Sequence, residues 1–179
     1  MPVVQSLDNR ILVFARTRGH GLRAERAVAS FSRLGEHGGV WLALGLAGST
    51  FSGGEQRRGW QRALAVVAGT YMANTVLKLL VRRRRPELPG LPPLTSTPTH
   101  FSFPSAHTAT SFAGARLYSR LGLPAAPLYA LAGALALSRL YLGVHYPSDV
   151  LGGAALGVVA AATRGADART AKTVAEAVR

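Results

Sequence analysis

Three short segments hold the residues whose types and spacing could do chemistry. "KLLVRRRRP", residues 78–86, sets Lys78 and Arg85 seven residues apart, nearly two helical turns, so both can share a face if the helix persists. The residue before a proline resists the helical conformation, which places the helix end close to Arg85. "PSAH", residues 104–107, puts Ser105, Ala106 and His107 at the start of an apolar stretch. A helix opening there leaves backbone N–H groups free, and these form an anion site. "SRLYLGVHYPSD", residues 138–149, contains Arg139, His145 and Asp149, with His145 and Asp149 four residues apart. That spacing puts them on one face of a starting helix, and Pro147 is tolerated in its first turn.

Together these are three cations, two imidazoles, a hydroxyl, free N–H groups and one carboxylate. Such a set suits a phosphoryl group, whose oxygens are neutralised by cations and N–H donors. A histidine oriented by a carboxylate can attack phosphorus, and a second histidine can protonate the leaving oxygen. Singly, the residues say less: a lone histidine on an apolar helix is more often structural. Arg82, Arg83 and Arg84 read as interfacial or solvated charges. Asn74 reads as a bond to a neighbouring helix, and Glu36 and His37 as residues at the substrate entrance. His100 has no assigned role.

The chain has 179 residues, 48% of them hydrophobic, and 21 Lys+Arg against 8 Asp+Glu. A length of this order suits one domain, 1–179. The charge calls for an anionic partner: nucleic acid, phospholipid headgroups or a phosphorylated substrate. With no cysteine, thiolate catalysis, disulfides and cysteine metal sites are excluded. The opening "MPVVQSLDNR" has Asp8 and Arg10 where a signal peptide needs an unbroken apolar core. Residues 1–37 place Leu7, Ile11 and Phe14, and then Ala24, Val28, Phe31 and Leu34, at helical spacing among arginines. They read as amphipathic interfacial helices. From 38 to 163 come apolar runs at 39–52, 63–81, 104–122, 123–144 and 150–163. A bilayer core of about 30 Å needs roughly 20 residues of helix. The runs lack a polar face, and Gly153 and Gly157 have the spacing of close helix contacts. The expected fold is therefore all-α: a membrane bundle of five spans, the interfacial helices, and a polar tail at 164–179. The prolines at 86, 89, 92, 93 and 98 make the connection after Arg85 a long loop. With alternating spans, the end of the second, the starts of the third and fifth, and the end of the fourth share one membrane face. All three chemical segments then meet.

These segments resemble the three-part signature of the type 2 phosphatidic acid phosphatase (PAP2) superfamily: Lys78, six residues, Arg85–Pro86; Pro104–Ser105–Ala106–His107; and Ser138–Arg139, five residues, His145, three residues, Asp149. The resemblance implies an integral-membrane, metal-independent phosphatase acting on a lipid phosphate monoester. His145 would be the nucleophile forming a phosphohistidine, oriented by Asp149, and His107 the general acid. Lys78, Arg85, Ser105, Ala106 and Arg139 would bind phosphate. No cofactor is implied. Where the family usually has glycine, this chain has Ala106. At a helix start that residue keeps a helical conformation and a free N–H. Many membrane members have six spans, and the N-terminal helices stand in for the missing one.

The implied substrates are polyprenyl phosphates such as decaprenylphosphoryl-5-phosphoribose, glycerophospholipid phosphates such as phosphatidic acid or phosphatidylglycerophosphate, and undecaprenyl diphosphate. "SRLGEHGGVWLAL" is similar to actinobacterial members. The implied partners are the lipid substrate and membrane lipids, not nucleic acid. The remote alternative is a basic membrane-associated binding protein without activity. The implied location is the cell membrane. Positive charge favours the cytoplasmic face, but the split is 12 Lys/Arg on the site face against 9, and 9 against 9 without Lys78, Arg85 and Arg139. The expectation of a cytoplasmic site rests instead on where a phosphoribosyl lipid would be made.

Overall fold

A computed structural model of the chain describes residues 2–177, with side chains from 3 to 162. It is all-helical: α1 (Pro2–Thr17), α2 (Leu22–Arg33), a 3-10 turn (Glu36–Gly38), α3 (Gly39–Phe51), α4 (Gly54–Val81), α5 (Ala106–Arg120), α6 (Ala125–Tyr141) and α7 (Pro147–Ala177). Helices α3 to α7 correspond one to one with the five apolar runs, and α1 and α2 with the amphipathic segments. The polar tail continues α7 as helix to Ala177; residues 178 and 179 lie outside the described residues.

Helix α5 is the centre of the bundle, packed on α7, α6 and α4. Its buried face is made of small residues, among them Thr108, Ala109, Ala113 and Gly114. Gly153 and Gly157 let α7 approach it backbone to backbone. A Cβ on Gly157 would lie 2.2 Å from the Ala109 carbonyl oxygen, and one on Gly153 2.5 Å from that of Ser105. Close contact of this kind holds helices together where no water drives association. A second cluster sits where α3, α4 and α5 meet. The Trp41 indole donates to Ser111 Oγ at 2.9 Å, and the Tyr118 hydroxyl donates to the Trp41 carbonyl at 2.7 Å. The polar tips of both buried rings are thus satisfied.

The outside of the bundle is apolar. Leu46, Phe51, Met72, Val76, Leu80, Leu137, Leu151 and Val159 are all exposed. Among the described residues, α4 alone is both long and apolar enough to cross a membrane by length and composition; Pro147–Ala162 is a shorter apolar stretch.

Helix α1 is amphipathic in an unusual sense. Val3, Val4, Leu7 and Phe14 face outward, while Asp8, Leu12 and Arg16, at a spacing of four, are buried. Most of the apolar stripe is thus turned away from the protein, and the inner contacts are made by Leu12 with Asp8 and Arg16 on either side. Arg16 donates to the carbonyls of Pro92 (2.7 Å) and Tyr141 (3.3 Å).

The sequence carried the second helix almost to Arg85, but it ends at Val81. Arg82 caps it in the left-handed conformation (φ 53°), its N–H bonded to the Lys78 carbonyl. An extended limb follows, paired with a second limb through an Arg84–Phe101 bridge, Ser102 N–H to Arg83 O (2.8 Å) and Arg85 N–H to His100 O (3.3 Å). The proline-rich loop is therefore a tethered hairpin-like strap that leads to the start of α5.

Candidate active site

Lys78 lies in the last turn of α4, buried, with Nζ donating to the carbonyls of Phe101 (3.0 Å) and Ser102 (3.1 Å). Arg85 reaches the same place along the extended limb, not along a shared helix face. Its Nε donates to Thr99 O at 2.8 Å and its Nη1 to Val144 O at 2.7 Å. Arg139, in the last turn of α6, is 4% exposed and donates to Ser32 Oγ at 2.6 Å. His107 stands in the first turn of α5, with Nε2 3.2 Å from the Ser32 carbonyl. A carbonyl only accepts, so that nitrogen carries the proton. Gly35 makes room for this ring, since a Cβ there would sit 2.7 Å from His107 Cδ2.

His145 lies in the turn before α7 and is 2% exposed. Its Nε2 is 3.2 Å from Arg85 Nη1. Guanidinium has no acceptor, so Nε2 offers its lone pair and the proton sits on Nδ1. Nδ1 faces Asp149 Oδ2 at 3.5 Å, within ion-pairing range but without a hydrogen bond. Asp149 is fully buried. Its Oδ2 accepts from the Tyr146 N–H at 2.8 Å and its Oδ1 from Arg83 Nη1 at 2.8 Å. Burial, reinforced by Arg85, Lys78 and Arg139, holds the His145 imidazole well below its ordinary pKa. The ring is therefore neutral near pH 7, the form in which it is nucleophilic. Burial lowers the Arg85 pKa to about 10, against the pull of Asp149, and the side chain keeps its charge.

A cavity of about 390 Å³ opens on Lys78, Arg85, Ala106, His107, Arg139 and His145. Six of the eight residues singled out from sequence thus line one space. Asp149 does not line the cavity and lies behind His145. Ser105 is the departure: it is fully buried, does not line the cavity, and its Oγ accepts from Thr108 Oγ1 at 3.1 Å. As the residue before α5 it fixes the chain direction there, with its N–H bonded to Asp149 O at 2.9 Å. Ala106 opens α5 without a positive φ. The first N–H groups of α5 have no partner within the helix, and the Ser105 side chain caps none of them. Asn74 bonds the Pro104 carbonyl (3.0 Å), a contact to the segment entering α5, and also lines the cavity. Among the described residues no group of three or more His, Asp or Glu is arranged to hold a metal ion.

Two groups were missed in the sequence. Arg83 is not a solvated charge. It bridges Asp149 and Asp8 Oδ2 (2.7 Å) and lies over the Tyr146 ring at 4.1 Å. Asp8 also accepts from Ser148 N–H (2.9 Å) and Oγ (2.5 Å). Burial would raise the Asp8 pKa, but the bonds from Arg83 and Ser148 outweigh it and hold the carboxyl below its usual value. Ser32, on α2, supplies the hydroxyl and carbonyl that meet Arg139 and His107. Its only sequence signal is its place in a helix that otherwise reads as interfacial.

The PAP2 superfamily pattern matches residues 60–165. A decaprenylphosphoryl-5-phosphoribose phosphatase from Mycolicibacterium smegmatis is 44% identical over 128 residues, 69% of this chain and 68% of that protein. The protein of the same name from Mycobacterium tuberculosis is 43% identical over 135 residues, 73% of each chain. Phosphatidylglycerophosphatase B of Bacillus subtilis is 34% identical over 117 residues, 58% of this chain and 56% of that one. Among solved structures, a transmembrane PAP2-type phosphatidylglycerolphosphate phosphatase from Bacillus subtilis superposes with a TM-score of 0.73 at 26% identity, covering 94% of this chain and 88% of that one. Aquifex aeolicus LpxE superposes with a TM-score of 0.68 at 26% identity, covering 88% and 93%.

Proposed function

The chain belongs to the PAP2 superfamily, and from that premise we propose that it cleaves the phosphate monoester of a phosphorylated polyprenyl lipid through a phosphohistidine at His145. That it is a membrane lipid phosphatase follows from the family and its relatives. The observation that carries the mechanism is the placement of His145, its Nε2 3.2 Å from Arg85 inside a cavity shared with Lys78, Arg139 and His107.

In this reading Lys78, Arg85, Arg139 and the first N–H groups of α5 hold the phosphoryl oxygens. Nε2 attacks phosphorus as the ester P–O bond breaks, and the positive charge that develops on the ring is balanced by Asp149 beyond Nδ1. Arg83, anchored by Asp8, keeps Asp149 turned to that task. His107 serves as imidazolium beside the bound phosphate: its Nε2–H stays on the Ser32 carbonyl, and the second proton, on Nδ1, passes to the leaving alcohol. The same ring then takes a proton from water as that water attacks phosphorus, the P–N bond breaks, and phosphate leaves.

The relatives at 43–44% identity favour decaprenylphosphoryl-5-phosphoribose as the substrate type. Phosphatidylglycerophosphate is the second reading, favoured by the Bacillus relative and structure. Undecaprenyl diphosphate stands behind both. The apolar exteriors of α4, α6 and α7 support a multi-pass arrangement in which α3 to α7 are five spans and α1 and α2 lie at the interface. The roughly balanced arginines leave a cytoplasmic site resting on where a phosphoribosyl lipid is made. The test is phosphate release by the purified protein, without added metal, from a panel of polyprenyl and glycerophospholipid phosphates. Vanadate should inhibit it, and His145→Ala should abolish it; unchanged turnover in that variant overturns the mechanism.

A further inference from the structure

The cavity has walls of two kinds. One is the cationic, imidazole-lined phosphate wall described above. The other is formed by Glu36, His37, Tyr71, Thr75, Ser96 and Thr97. Glu36 lies close enough to Arg139 to attract its charge, and a carboxylate in a cavity that must hold an anion also offers an acceptor that phosphate itself cannot use.

The second wall is built, not scattered. Tyr71, Thr75 and Lys78 follow one another along α4 at steps of four and three. That places Tyr71 about 10 Å along the helix from the phosphate-binding lysine. The Tyr71 hydroxyl is 2.7 Å from His37 Nδ1, and the two rings meet edge to face. His37 holds a left-handed backbone (φ 52°), which is strained for a residue with a side chain. Gly38, also left-handed at φ 75°, lies against Thr110, where a Cβ would come within 3.2 Å. The turn is thus pressed onto α5 in the one shape that sets Glu36 and His37 at the cavity rim.

We propose that Glu36, His37 and Tyr71 form a subsite for a hydroxyl-bearing headgroup, a sugar esterified to the phosphate that is cleaved. A carboxylate accepts from hydroxyls strongly and in pairs, and the imidazole and phenol can each accept or donate. A diacylglycerol phosphate has no free hydroxyl to offer Glu36. The subsite rests on the phosphatase reading above and names the substrate class that this cavity selects.

The experiment compares kcat/KM for a short-chain prenylphosphoryl 5-phosphoribose and for dioctanoyl phosphatidic acid, in detergent, with the wild type, Glu36→Gln and Tyr71→Phe. Glu36 is exposed and both changes are nearly isosteric; gel filtration in detergent confirms the fold. The expected result is a loss of about ten- to a hundredfold on the phosphoribosyl lipid, with phosphatidic acid hydrolysis unchanged or faster. An equal loss on both lipids, or none on either, overturns the subsite. So does a wild type that hydrolyses phosphatidic acid but not the sugar lipid, although the phosphatase reading then stands. A wild type inert on both overturns that reading too.

Discussion

Replacing Arg83 with methionine keeps an unbranched apolar stem and removes the guanidinium with its charge. The variant loses the 2.8 Å bond to Asp149 Oδ1 and the 2.7 Å bond to Asp8 Oδ2. Charge-assisted bonds contribute about 1.5–3 kcal/mol each, and breaking a fully buried pair costs about 3–5 kcal/mol. The Arg83 side chain is 22% exposed, so the loss falls at the lower end, about 2–3 kcal/mol. Asp149 keeps the Tyr146 N–H as a donor on Oδ2, but without Arg83 on Oδ1 its facing of His145 is less firmly fixed. A misplacement of about 1 Å in such a group can cost roughly a hundredfold in rate. The expected result is therefore a kcat lower by about ten- to a hundredfold. KM should stay within about twofold, because Arg83 does not line the cavity. Asp8→Asn should show the same pattern more weakly, and the double variant should be less impaired than the product of the two single losses. Phosphate release across a range of substrate concentrations in mixed micelles measures both constants. A raised KM with unchanged kcat would return Arg83 to the role of a headgroup-steering surface charge and refute its place behind the proposed His145–Asp149 pair.

Gly157→Ala brings a Cβ to 2.2 Å from the Ala109 carbonyl oxygen, a backbone atom that cannot swing aside. Overpacking of this kind costs about 2–3 kcal/mol, which lowers Tm by roughly 5–10 °C for a chain of this size. A thermal shift of less than a degree in detergent would deny the close α5–α7 contact. The lowered pKa of His145 predicts a ring that stays neutral as pH falls through 6.5 and gains a proton only well below that value. Histidine NMR of the detergent-solubilised protein, with the resonance assigned by its loss in His145→Gln, reads this directly, and a midpoint at or above 6.5 contradicts it.

Much of the site was legible because helices repeat and spans alternate. His107, Arg139 and His145 sit at the ends of apolar runs, and alternation of direction alone brings those ends together. The four consecutive arginines were not legible in the same way. Read as helix, their faces are scrambled. In fact Arg82 breaks the helix with φ 53°, and the limb beyond it is extended. Side chains of an extended limb alternate, so Arg83 and Arg85 both turn inward while Arg82 and Arg84 stay exposed. Lys78 and Arg85 do line one cavity, but one arrives on a helix and the other on the extended limb, not along a shared helix face. Ser105 was expected to bind phosphate from the resemblance of the Pro104–His107 segment to the family signature. Its burial against Thr108 and α7 depends on the backbone contact that Gly153 permits, which is a tertiary fact. The inward polar face of α1 escaped for a similar reason. Its period shows where the apolar stripe lies, not that the stripe faces away from the bundle and Asp8 faces Arg83.

The central claim is that His145 carries the phosphoryl group between two displacements. The direct measurement is a rapid acid-free quench of the purified protein with radiolabelled lipid phosphate, followed by denaturing electrophoresis at alkaline pH and peptide mass spectrometry. The account predicts a burst of label on the wild-type chain, stable to base and labile to acid, located at His145, slower to form and to decay in His107→Ala and absent in His145→Ala. Turnover by the wild type with no labelled protein at any quench time, or label on a residue other than His145, would contradict it.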